Sequence, residues 1–241
     1  MTTEENFVDF QCPHCSQPAS FPESAVGSAQ VCPACEDVVI VPPAGTATGL
    51  LVPLPIITSR LRLRRFTGSD WKALRDLVAD DAGFVYVDGL PPAADEVTIA
   101  NWLEADQHIR LTTPNEIFRL AIELQEGSRV IGFLGLWFTD IQRLQAGFNL
   151  SLHRSYQRQG LGLEAVDGLL GFCFKGIRLH RVSVRCDSRN AAACRLFEKV
   201  GLRREGEFVK DQRTPDGQWT NTVVFAALEE EFGPDKPGAT T

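Results

Sequence analysis

Residues 149–170 read NLSLHRSYQRQGLGLEAVDGLL, and the run changes its period in the middle. Its first five residues complete the alternating stretch "QAGFNLSLH" (145–153), which has the two-residue repeat of a strand. From Leu163 onward "LEAVDGLLGFCF" returns apolar residues at helical spacing. Between them stands Gln157-Arg158-Gln159-Gly160-Leu161-Gly162. Small residues at a strand-to-helix junction leave backbone N–H groups free and aimed outward at a helix N-terminus, which suits an anion. A tight turn alone explains the same six residues, so the surroundings decide the reading.

Downstream the pattern predicts a strand "RVSVRC" (181–186) and a helix "NAAACRLFEKV" (190–200) with Gly201 as its cap. A closing pair, "GEFVKD" (206–211) and "TNTVVFAAL" (220–228), meets around the turn signal "TPDG" (214–217). Upstream, "EIFRLAIEL" (116–124) and "RVIGFLGLWF" (129–138) flank Gln125–Ser128 as an antiparallel hairpin. "RLRLRRF" (60–66) alternates as a half-buried strand, and Thr67-Gly68-Ser69-Asp70 starts a helix that continues through Trp71, Leu74, Leu77 and Val78. A second helix is expected from Asp95 through Trp102 to about His108. One strand–helix–strand unit, Gly147–Cys186, thus sits among hairpin-connected strands, which defines a mixed α/β (α+β) sheet.

With these neighbours the loop resembles the acyl-CoA motif of the GNAT N-acetyltransferases, in which a Q/R-x-x-G-x-G/A loop grips the pyrophosphate. "RVSVRCDSRNAAACRLFEKVGLRREGEF" (181–208) is similar to the family's strand, Asn-led helix and following segment, and "SRLRLRRFTGSDW" (59–71) fits as well. The resemblance covers about Ser59–Leu228 and looks closest to the branch of ribosomal-protein N-terminal acetyltransferases. It implies a mostly antiparallel sheet with helices on both faces, and direct acetyl transfer from acetyl-CoA to an amine in a ternary complex. It further implies that backbone amides of Leu150 and Leu152 hold the pantetheine arm and the oxyanion. Gln157, Arg158, Gln159, Gly160, Leu161 and Gly162 would take the pyrophosphate. Asn190 would hydrogen-bond the cofactor arm; an ordinary N-cap is a compatible role for it. Four family positions for proton handling hold Gln145, Ala193, Phe197 and Asn221 here. His153, beside the loop, is the local titrating candidate for catalysis, although a lone His at a strand edge is commonly structural; Glu207 and Asp211 are weaker ones. Trp71, Tyr86 and Trp102 read as core aromatics.

The N-terminal part has a separate logic. "CPHC" and "CPAC" give C-x2-C, sixteen residues, C-x2-C, so Cys12, Cys15, Cys32 and Cys35 can face one tetrahedral ion. A unit this small holds no sizeable core and needs a staple, so residues 7–41 resemble a zinc ribbon binding Zn2+. His14 is expected to be a bystander. A redox dithiol would need a thioredoxin-like βαβ setting and leaves the second pair unexplained. Cys173, Cys186 and Cys194 read as small buried hydrophobes.

Charge decides what the ribbon can touch. The first basic residue is Arg60, and the six acidic residues before it carry −6 of the chain's net −7. A phosphate backbone needs Lys or Arg, so nucleic acid is excluded as its partner; a basic protein segment is compatible. The expected division is ribbon 7–41, linker 42–58 rich in Pro, Gly and Thr, large domain 59–230, and tail 231–241. No apolar run is long enough to span a bilayer, and "MTTEENFVDF" lacks the order of a secretory signal, so the expectation is a cytoplasmic protein without a membrane partner. A homodimer is compatible with the resemblance. Two other readings remain at this point: a non-catalytic acyl-CoA-binding module, and an adaptor whose functional part is the ribbon.

Overall fold

The structure is a computed structural model that describes residues 6–45, 50–51, 54–79, 95–109, 111, 116–140, 144–214 and 217–232. In chain order the small unit holds β1 (Phe7–Gln11), β2 (Pro18–Pro22), β3 (Ala29–Val31), β4 (Val38–Ile40) and β5 (Leu50–Leu51). The large unit follows with β6 (Ile56–Ile57), β7 (Leu61–Arg64), α1 (Trp71–Ala79), α2 (Glu96–His108), β8 (Phe118–Leu124), β9 (Arg129–Phe138) and β10 (Gln145–Leu152). It ends with α3 (Leu161–Gly171), β11 (Arg181–Asp187), α4 (Ala191–Lys199), β12 (Arg203–Arg213) and β13 (Trp219–Leu228).

The eight strands of the large sheet run β12-β13-β11-β10-β9-β8-β7-β6. Among the described residues only β10 and β11 are parallel neighbours, because α3 carries the chain between them. The alternation in "LRLR" sends Leu61 and Leu63 to one face and Arg62 and Arg64 to the other, where both arginines bond Glu123. On the leucine face α3 and α4 close the main core, with Leu161, Ala165, Val166, Leu169 and Phe197 packed on Leu120, Leu134 and Phe148. On the opposite face α1 and α2 cover a second cluster that includes Leu74, Leu77, Ile99, Leu103, Ala121 and Phe133. The mixed, mostly antiparallel sheet with helices on both faces is therefore present.

Local signals place the helix ends. Thr67 and Asp70 form a reciprocal capping box ahead of α1, and Asp95 accepts from the Thr98 N–H to cap α2. Gly201 takes φ +86° after α4, and its N–H bonds Glu198 O. The helical pattern expected through Phe174 changes character at Phe172–Gly176, where the last turn widens to a π-helix.

The stretch expected as a linker contributes a strand to each unit. β5 pairs with β4 in the small unit and β6 pairs with β7 in the large one. β4 explains the unbroken apolar run "VVIV": Val39 and Val41 enter the small core with Val8 and Phe10, while Val38 and Ile40 enter the large one.

Candidate active site and metal centre

The β10–β11 ladder pairs Gln145 through Phe148 with Arg181 through Val184 and then stops. Beyond it β10 stays on β9 as far as Leu152, and β11 stays on β13 as far as Asp187. The inner edges part, and a wedge opens between them. Gln145 O accepts from the Thr139 N–H at 3.0 Å, and the His153 N–H donates to Ile131 O at 2.9 Å. Odd-numbered peptides of β10 therefore face β9, and by strand alternation Leu150 and Leu152 direct theirs into the wedge. Gln157 Nε2 occupies Leu152 O at 2.9 Å. Such an open edge suits an extended ligand that carries amides of its own.

At the wide end the chain turns through Arg154–Tyr156 into the glycine loop. Arg158 (φ +60°) and Gly160 (φ +77°) lie in the left-handed region, and Gly160 is the N-cap of α3. No side chain caps this helix end, so its leading amides stay available to an anion. Gly162 permits close packing: a Cβ there would stand 2.9 Å from Leu196 Cδ1 and 3.3 Å from Leu152 Cδ1. Gln159 Nε2 ties the loop back to Ser155 O at 2.7 Å.

Glu164 anchors this helix start to the sheet, and no local pattern in the sequence singles it out. Its carboxylate receives Thr58 Oγ1 (2.6 Å), Ser59 Oγ (2.9 Å), the Arg60 N–H (2.7 Å) and Arg60 Nε (2.7 Å). Arg60 Nη1 also donates to Gln159 O in the loop. Burial alone would raise the Glu164 carboxyl, but these hydrogen bonds outweigh it and hold the group down at about 2. The partners lie more than a hundred positions away, so nothing near Glu164 in the sequence announces them.

The other expected site residues divide. Asn190 caps α4, its Oδ1 accepting from the Ala193 N–H at 3.0 Å. His153 Nδ1 accepts from the Ser155 N–H at 3.2 Å, and the ring borders a cavity with Asp76, Arg129 and Tyr156 beside α1. Phe197 is buried against Phe148 and Phe225. Asn221 spans the bulge of β12: its Nδ2 donates to Glu207, and its Oδ1 accepts from the Lys210 N–H. Asp211 is exposed on the same strand. Trp102 packs edge-on against Phe66 as a core residue, whereas Tyr86 lies outside the described residues. On the α1/α2 side, Asn149 Oδ1 and Ser151 Oγ are buried without a hydrogen-bond partner among the described residues.

The four N-terminal cysteines converge, with all Sγ atoms within 4.8 Å of one another. Two turns of one design present them. The Cys12 N–H bonds Gln17 O and the Ser16 N–H bonds Cys12 O; the Cys32 N–H bonds Asp37 O and the Glu36 N–H bonds Cys32 O. The His14 and Ala34 N–H groups point at the first sulfur of each pair at 3.4 Å. Contacts of 3.8 Å run between the motifs, Cys12 to Cys35 and Cys15 to Cys32. Four thiolates bound tetrahedrally at about 2.3 Å stand about 3.8 Å apart, so the donor set fits a zinc-sized ion. A dithiol working within one CPxC does not require these contacts across the pairs. His14 remains outside the set, its Nε2 against Val38 O.

A sheet split between two parallel strands, above a glycine loop that opens a helix, is the arrangement that the resemblance to the GNAT acetyltransferases implies. The family described as "Acetyltransferase (GNAT) domain" matches residues 60–203, and the chain belongs to that family. It is 27% identical over 180 residues to the uncharacterized N-acetyltransferase YnaD of Bacillus subtilis, covering 73% of this chain and 98% of that protein. The fold superposes on a GNAT-family acetyltransferase from Bacillus anthracis with a TM-score of 0.62 at 24% identity, covering 73% of this chain and 99% of the other. It also superposes on a mutant of spermidine N-acetyltransferase from Vibrio cholerae with a TM-score of 0.59 at 18% identity, covering 72% and 96%. The chain is an N-acetyltransferase. Among the described residues no helix is long and apolar enough to cross a membrane.

Proposed function

We propose that this enzyme transfers the acetyl group of acetyl-CoA to a primary amine held with it in a ternary complex. The observation that carries the reading is the wedge, whose two Leu peptides stand above the uncapped end of α3. In this reading the amides at Leu150 and Leu152 align the pantetheine arm and steady the thioester oxygen. The loop Gln157–Gly162 takes the pyrophosphate, and Asn190 offers its remaining amide N–H groups to the arm. The neutral amine attacks the carbonyl carbon, a C–N bond forms, and the C–S bond breaks with its electron pair leaving on CoA sulfur. Gln145, Ala193, Phe197 and Asn221 cannot accept the amine proton, so water carries it outward while positioning supplies the acceleration. His153 lies beyond the wedge beside α1 and is assigned no step of its own.

The acceptor class follows from charge. The acidic N-terminal unit favours a basic acceptor, either a protein N-terminus followed by basic residues or a polyamine. It reaches the thioester from the face of β10 that carries Asn149 and Ser151, since α3 and α4 cover the other. Cys12, Cys15, Cys32 and Cys35 hold Zn2+, which fastens the two turns together and takes no part in transfer. Thiolate ligands suit a reducing compartment, and a cytoplasmic location is part of this reading. The exposed outer strand β12, with Phe208 and Val209 outward, is the edge a second copy would cover.

Release of CoA thiol by the full-length protein, measured across basic N-terminal peptides, polyamines and small amines, tests the assignment. Release above hydrolysis is expected with a basic class. Tight acetyl-CoA binding without release for any amine would overturn transfer, and no binding would overturn the wedge as a cofactor site.

A further inference from the structure

Cys186 on β11 and Cys194 on α4 hold their Sγ atoms 3.6 Å apart, in direct sulfur–sulfur contact. Both are partly accessible, whereas Cys173 is sealed in the core. Both also stand where the wedge opens. Cys186 lies two residues past Val184, the last β11 residue paired with β10, and only its outer edge is held, opposite Val223. Cys194 bonds back to Asn190 O in the first turn of α4 and packs with Leu150, Ala193 and Leu196 on the main core. The pair therefore joins a strand and a helix that form separate walls of one cleft.

We propose that Cys186 and Cys194 form a reversible dithiol site on the wall of the wedge, oxidised to a disulfide by exchange with a low-molecular-weight disulfide. The Cys194 thiolate attacks one sulfur of the incoming disulfide, forming a mixed disulfide and releasing one small thiol. Cys186 then gives up its proton and attacks Cys194 Sγ, and the second small thiol departs. The disulfide gains two electrons and two protons in all, and the protein loses the same. Burial, followed by the neighbouring Cys194 sulfur, pushes the Cys186 thiol up to about 12, so it stays protonated and leaves the first attack to Cys194; contact with Cys194 Sγ is what lets it complete the second step. A bond requires the sulfurs to approach by about 1.5 Å. That movement draws the first turn of α4 toward the free arm of β11 and carries Asn190 and Ala193 with it. The consequence, a weaker hold on acetyl-CoA, rests on the wedge being the cofactor site.

The test uses the full-length protein with its N-terminal cysteines loaded with zinc. It is incubated with CoA disulfide in one arm and oxidised glutathione in the other, then alkylated and mapped by mass spectrometry. The expected product is a peptide cross-link between Cys186 and Cys194, reversed by dithiothreitol. Acetyl-CoA affinity should fall at least about tenfold in the cross-linked protein and return on reduction. A higher rate with CoA disulfide at equal concentration assigns delivery through the cofactor cleft, and equal rates assign delivery from solvent. Absence of the cross-link in both arms overturns the proposal, as does a cross-link that leaves acetyl-CoA affinity unchanged. C186A and C194A, each compared with and without the disulfide, should lose the cross-link and the difference in affinity together. If reduced protein binds no acetyl-CoA, the cofactor reading fails, while the mapped cross-link still judges the dithiol site.

Discussion

Arg60 and Glu164, one at the start of the large domain and one in the first turn of α3, are joined by both the backbone N–H and Nε of Arg60, each at 2.7 Å. Arg60 also reaches Gln159 O, so the pair fixes the glycine loop to the sheet rather than to its own helix alone. Removing the carboxylate leaves the Arg60, Thr58 and Ser59 donors without their acceptor. E164A should lower stability by about 2–3 kcal/mol, and the loosened loop should weaken acetyl-CoA binding by about tenfold. Thermal unfolding and calorimetric titration check the two effects separately.

The same clamp sets an acid limb. Glu164 is held at about 2 in the folded chain against an ordinary value of 4.5. A depressed carboxylate contributes stability that is complete above the unfolded value and is lost as pH falls through the folded one. Between about pH 4.5 and 2 the wild type should therefore lose stability more steeply than E164Q. Parallel denaturation curves for the two proteins across that window would defeat the assignment.

Gly160 sits at φ +77°, where a branched side chain is strained in the turn that aims the α3 amides. G160V should cost about 1–2 kcal/mol and reduce acetyl-CoA affinity by more than tenfold, because the anion-facing backbone shifts. Affinity equal to wild type in a folded variant would show that the loop is only a turn.

These positions show how unevenly the sequence discloses the protein. The glycine loop, the helix caps at Asp95 and Asn190, and the cysteine spacing are local signals, and each appears where its spacing places it. The mixed sheet follows because one helix-length insertion separates strands that otherwise return by hairpins. Glu164 could not be found this way, since its four donors come from Thr58–Arg60 and a Glu in a first helical turn has an adequate local explanation in the helix dipole. The two short strands within the Pro- and Gly-rich 42–58 stretch were equally hidden, because residues so few carry no period. Nor does the Cys186–Cys194 contact follow from a spacing of eight; it depends on the angle at which α4 lies on β11.

Asn221 illustrates a polar residue whose amide form is structural. Its Nδ2 donates to Glu207 and its Oδ1 accepts from Lys210 across the bulge. N221D replaces that donor with a second carboxylate beside Glu207, so about 1–2 kcal/mol should be lost at neutral pH. A variant as stable as wild type at pH 7 would remove this role.

Metal loading separates the two units. The full-length protein should bind one Zn2+, and C32S should lose it together with protection of the 7–41 segment from proteolysis. The main core around α3 is built without those cysteines, so acetyl-CoA affinity should stay within about threefold. Val38 and Ile40 do reach that core, so a small fall in its melting temperature is expected. Zinc-free protein that retains full protection of residues 7–41 would refute the staple.

Asn190 allows capping and cofactor contact to be told apart. N190A removes the Oδ1 that accepts from the Ala193 N–H and should cost about 1 kcal/mol as a lost N-cap. N190S restores an acceptor at the cap, and with it most of the stability, yet supplies no amide N–H to the cofactor arm. If Asn190 holds acetyl-CoA, both variants bind it more weakly by a similar factor, about five- to tenfold, although only N190A melts early. If Asn190 is a cap alone, affinity follows stability and N190S binds as wild type does. Calorimetry and thermal melts on the same two preparations decide between them.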